Sequence, residues 1–103
     1  MNITTREEEK ALVLFLEGNL LGENDGKLIL EIINNSIEKN VPNFIFAVEK
    51  LKYLNSTGLS ILISTLTKAR KNNGEICLVD VQDQLSSLLK ITKLDNVFPI
   101  CAT

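Results

Sequence analysis

Leu54-Asn55-Ser56-Thr57-Gly58-Leu59 divides two stretches with different hydrophobic periods. Before it, Asn43 to Val48 contains the apolar run Phe44-Ile45-Phe46-Ala47-Val48, whose length suits a strand buried on both faces. After it, Leu59, Leu62, Ile63, Leu66 and Ala69 fall on one stripe at helical spacing. A strand thus gives way to a helix across a short polar break that contains a hydroxyl and a glycine.

Outward from this break the same alternation recurs. Ala11 to Leu16 is another apolar run, and Gly18 is expected to end it. A loop, Asn19 to Gly26, then contains two apolar residues, Leu20 and Leu21, which either pack over the core edge or meet a partner. Lys27 to Asn40 reads as a helix on Leu30, Ile33 and Ile37, with Ile29 and Ile32 widening the stripe and Asp25 or Asn24 as its cap. Pro42 stops it. Beyond the second helix, Asn72-Asn73-Gly74 is a C-cap signal, and Lys68, Arg70 and Lys71 complement the negative end of the helix dipole.

Ile76 to Val79 is a further buried strand. Leu85, Leu88, Leu89 and Thr92 mark a short helix, and Val97 to Ile100 is expected to return as a short terminal strand. At the start, residues 2 to 6 read as an edge strand and Glu7-Glu8-Glu9 as a charged turn. The order predicts an α/β fold: a singly wound mixed sheet of four to five strands, the first antiparallel and the rest parallel, with crossover helices mainly on one face. Residues 1 to 103 are read as a single domain.

Composition narrows the function classes. The chain is 45% hydrophobic and 23% charged, with a net charge of −2 and no basic run, which argues against direct nucleic-acid binding. No apolar stretch approaches the roughly 18 residues of a membrane span, and the N-terminus lacks a signal-peptide core, so a cytoplasmic location is expected. Cys77 and Cys101 lie in apolar settings and are expected to be buried free thiols. The absence of histidine removes Ser-His-Asp and Cys-His nucleophile systems and most zinc sites. No lysine is spaced to replace the missing base, so a Ser56 nucleophile has no support and no enzyme activity, metal or cofactor is expected. The chain also lacks a phosphate-binding Gly-x-x-x-x-Gly-Lys loop.

Ser56 then has two readings. It is a plain N-cap serine, or it is a phosphate acceptor at a helix start, where unsatisfied N–H groups favour negative charge. Gly58, two residues on, costs about 1 kcal/mol relative to alanine in a helix, a cost acceptable where a close backbone approach or a partner surface needs it.

Asn55-Ser56-Thr57-Gly58-Leu59 resembles the Asp-Ser-Ser/Thr-Gly-Leu signature of the STAS domain family, specifically bacterial anti-sigma factor antagonists. The likeness extends over almost the whole chain: Gly18, Lys71 to Glu75, and Leu85, Leu89, Leu94 and Phe98 follow the family's spacing. The resemblance implies a module that binds an anti-sigma factor with serine kinase activity. Ser56 would be its phosphorylation site, phosphorylation would block binding, and a phosphatase would restore it. Asn55, Ser56, Thr57, Gly58 and Leu59, with Leu20 and Leu21, are then the expected partner-binding residues. Three departures stand out: Asn55 replaces an acidic residue, Leu21 falls where the family often has Asp, and Lys93 occupies a frequent glycine position. The alternative is a STAS scaffold or complex subunit, in a sensory or lipid-transport assembly, without a phosphorylation switch.

Overall fold

The computed structural model describes residues 2–98. Its framework is a mixed sheet of five strands. β1 (Asn2–Glu8) and β2 (Ala11–Leu20) form an antiparallel hairpin, from Asn2 opposite Glu17 to Glu8 opposite Ala11. Lys10, with φ 67°, makes the turn. β3 (Phe44–Ala47) joins β2 in parallel, and β5 (Ile76–Val79) joins β3 in parallel. The helices are α1 (Glu23–Glu38), α2 (Ser56–Lys71) and α3 (Asp83–Ile91).

Alternation along β2 sets the core. Leu14, Leu16 and Leu20 are buried, while Phe15, Glu17 and Asn19 between them are exposed. The parallel registers align Leu12 with Phe44 and Ile76, and Leu14 with Phe46 and Leu78. These rows form one cluster with Ile29 and Ile33 of α1, Leu62, Leu66 and Ala69 of α2, and Leu85 and Leu89 of α3. The helices therefore gather on one side of a singly wound sheet. Each fully buried aliphatic or aromatic side chain contributes about 1.5–3 kcal/mol. Thr65 is also fully buried, and its hydroxyl donates to the Leu62 carbonyl at 2.7 Å. On the opposite side of the sheet, Arg6 lies over the half-exposed Phe15 ring, 5.4 Å from its centre.

Several sequence expectations need correction. Gly18 does not end β2: with φ 108° it sits inside the strand, its N–H donating to the Lys50 carbonyl at 2.9 Å, and the strand continues to Leu20. This extension supports a strand not expected from the sequence, β4 (Leu51–Leu54), paired as Gly18–Leu51, Asn19–Tyr53 and Leu20–Leu54. Only two β2 steps match three β4 steps, so the pairing contains a bulge. β4 follows β3 along the same partner strand after a break at residues 48–50.

α1 begins earlier than expected, with Gly22 at its N-cap position and no side-chain cap from Asn24 or Asp25. Gly26 is helical because it faces α2: a Cβ there would come 2.5 Å from Ile61 Cδ1. The expected terminal strand at Val97 to Ile100 is absent over its described part. Leu94–Asn96 is a 3-10 turn, Val97 continues it, and the Phe98 ring is buried; Pro99 and Ile100 lie outside the described residues. Lys93 adopts φ 61°, the left-handed conformation that glycine accepts most readily. Cys77 is half-buried and disulfide-bonded, not the free thiol expected, and Cys101 lies outside the described residues.

Candidate functional site

β4 delivers the chain to the carboxyl edge of the sheet, and Asn55 starts α2 there. Its backbone is extended (φ −106°, ψ −173°), and its side-chain oxygen accepts the Gly58 N–H at 2.9 Å. Its backbone carbonyl accepts the Leu59 N–H, also at 2.9 Å. Asn55 is therefore the N-cap, and Ser56 is not. Ser56 becomes the first helical residue, and its side chain and that of Thr57 are exposed.

With the Gly58 and Leu59 N–H groups taken, those of Ser56 and Thr57 are the donors of the first turn that the helix itself leaves open. No acidic residue lies in that turn. The local field at the Ser56 hydroxyl is thus that of a helix N-terminus without a compensating carboxylate on the helix.

The end of β2 closes against this turn. The Asn55 side-chain N–H donates to the Leu21 carbonyl at 3.1 Å. A Cβ on Gly58 would lie 2.2 Å from the Leu20 carbonyl oxygen. Two consecutive carbonyls thus press on α2, one held by Asn55 and one admitted by the bare Gly58. This close approach is the physical reason for a glycine in the first turn.

The structure brings together all seven residues expected at the site but gives them different roles. Ser56, Thr57 and Leu21 are exposed, Leu21 to 45%. Leu59 is partly buried against the core. Leu20 and Gly58 are buried, so they shape the surface without presenting a side chain to it. Leu20, read from the sequence as a loop residue that packs over the core edge or meets a partner, is the last, fully buried residue of β2.

Sequence reasoning passed over Tyr53 and Lys52, because the strand that carries them was not seen. Tyr53 is 61% exposed two residues before Asn55. Both line a groove of about 680 Å3 between β4 and the start of α3, with Leu54, Gln82, Asp83 and Leu88. Among the described residues no group of His, Cys, Asp or Glu is arranged to hold a metal ion. No described helix is long and apolar enough to cross a membrane.

Fold and site together define an open-sheet α/β domain with an exposed hydroxyl heading a helix at the sheet's carboxyl edge. The STAS domain model matches residues 2–103, and the chain belongs to that family. It is 27% identical over 103 residues to the anti-sigma-B factor antagonist of Staphylococcus aureus strain NCTC 8325 / PS 47, with 97% of this chain and 92% of that protein covered. Its fold is similar to that of a Thermotoga maritima protein described as a candidate anti-sigma factor antagonist, with a TM-score of 0.85, 17% identity, and 98% and 86% of the two chains covered. It is also similar to the Bacillus cell fate determinant SpoIIAA in its phosphorylated form, with a TM-score of 0.77, 14% identity, and 99% and 91% covered. At these identities the two structures attest the fold.

Proposed function

We propose that this chain is an anti-sigma factor antagonist whose binding to an anti-sigma factor is controlled by phosphorylation of Ser56. The observation that carries this reading is the exposed Ser56 as first residue of α2, released from capping by Asn55. The name of the Staphylococcus aureus relative supports the partner class.

The partner would be an anti-sigma factor that is also an ATP-dependent serine kinase. Transfer moves the γ-phosphoryl group of ATP to the Ser56 oxygen; the hydroxyl loses its proton and ADP leaves. A phosphatase would return the hydroxyl by hydrolysis. The phosphate adds about −1.5 to −2 charges to a surface otherwise built from a hydroxyl, a neutral amide and Leu21. A partner surface shaped for the neutral form would meet repulsion and a desolvation cost, while the open N–H groups would hold the phosphate in place. A cytoplasmic location belongs to the same reading.

The test is incubation with ATP and the anti-sigma factor kinase of the same organism, followed by mass spectrometry. One phosphate on Ser56, absent in Ser56→Ala, is expected, together with binding of the unmodified protein alone. A stable complex with that kinase and an unmodified Ser56 would sink the switch and leave a scaffold role.

A further inference from the structure

We propose that Asn55 is a positioning residue that clamps Leu21 beside Ser56, so that the two present one neutral recognition unit. This deepens, and rests on, the reading of that surface as the partner contact. One planar amide meets two demands of opposite sign. Its oxygen accepts the Gly58 N–H at 2.9 Å, and its nitrogen donates to the Leu21 carbonyl at 3.1 Å. The first bond caps α2; the second reaches 34 positions back to the loop that follows β2. A carboxylate can make only the first, and would set two acceptors against each other at the second. A serine can cap but has no amide group to donate. The resemblance to a signature with an acidic residue at this position thus conceals a change of function: here the side chain ties two loops together.

Leu21 gives the clamp its purpose. It is 45% exposed, and its backbone carbonyl is the atom that Asn55 holds. An exposed apolar residue whose backbone is bonded to the neighbour of Ser56 offers a partner a preformed contact, and fixing it beforehand reduces the ordering cost of binding. The partner this unit fits has an apolar pocket beside a group that hydrogen-bonds an uncharged hydroxyl.

Asn55→Asp and Asn55→Ser separate the two bonds, since both residues cap helices about as well as asparagine. Three quantities are measured for each: the melting temperature, the 15N order parameters of Leu21 and Gly22 without partner, and affinity for the anti-sigma factor kinase of the preceding test. A fall in melting temperature of about 4–8 °C or less, the scale of one lost hydrogen bond, is expected. The order parameters should fall from the rigid range near 0.85 toward about 0.6. Affinity should fall about fivefold or more in both variants, the scale of one hydrogen bond. Unchanged order parameters in both variants overturn the clamp, and loosened loops with unchanged affinity overturn its role in positioning. Loss of affinity in Asn55→Asp alone assigns the effect to charge and overturns it equally. If the parent protein binds no such kinase, the proposed function fails, while the order parameters still decide the clamp.

Discussion

Replacing Gly58 with alanine tests whether the close approach of β2 to α2 shapes the site. The new Cβ would lie 2.2 Å from the Leu20 carbonyl oxygen and 2.7 Å from Leu54 Cδ1. The leucine methyl can rotate away. The carbonyl cannot, because Leu20 is paired with Leu54 and the next carbonyl is bonded to Asn55. To reach ordinary contact, the start of α2 must retreat by about 1 Å, a strain of the overpacking kind that costs roughly 1–3 kcal/mol. The same retreat stretches the Asn55 bond to the Leu21 carbonyl, which contributes about 1 kcal/mol. Against this stands the helix-propensity gain of alanine over glycine, also about 1 kcal/mol. The stretched bond and the gain offset each other, the clash remains, and a net loss of about 1–3 kcal/mol is expected. For a domain of this size each 1 kcal/mol lowers the melting temperature by about 4–8 °C. Thermal denaturation followed by circular dichroism measures the shift. A melting temperature equal to or above the parent's would refute the reasoning, because it would mean that α2 starts with room to spare.

Three further outcomes are expected. Ser56→Glu should abolish binding to the anti-sigma factor while raising stability by about 0.3–1 kcal/mol, since a negative charge in a first turn is favourable; chemical denaturation and a pull-down check both. Leu21→Ser should weaken that binding by tenfold or more with a melting temperature within a few degrees of the parent, because the side chain contacts solvent rather than core. Phe46→Ala should cost about 3–5 kcal/mol, as the ring is fully buried between Leu14 and Leu78; a urea titration reads it, and a loss below about 1 kcal/mol would contradict the core described above.

The parts of the fold legible in the sequence are those where one physical signal dominates. Phe44 to Val48 and Ile76 to Val79 are apolar without interruption; Phe44, Phe46, Ile76 and Leu78 are buried in the core with the helices, while Ile45, Cys77 and Val79 between them are only partly buried. The stripes of α1 and α2 repeat at helical spacing for several turns. The misread parts are glycines and short mixed segments. Gly18 and Gly26 have the local appearance of terminators, yet each lies inside an element, one at a strand irregularity and one against Ile61. Leu51-Lys52-Tyr53-Leu54 is too short and too polar on one side to signal a strand, and exists because β2 continues far enough to pair with it. The site was legible as a strand-to-helix break with a hydroxyl. That Asn55, not Ser56, takes the cap depends on which neighbouring residue first enters the helix, and element boundaries are the least determined by local pattern.

The β4 pairing has a mechanical consequence. β1 holds β2 from Ala11 to Glu17 and β3 holds it from Leu12 to Phe15, while β4 pairs with Gly18, Asn19 and Leu20 behind a break in the chain and seats Leu51 in the core. Ser56 follows β4 directly, and its neighbours Asn55 and Gly58 are held against the carbonyls of Leu21 and Leu20. The end of β2 thus anchors both β4 and the start of α2, while Leu62, Leu66 and Ala69 seat the rest of α2 on the sheet. A load placed on Ser56 by a partner is carried through these contacts into β2.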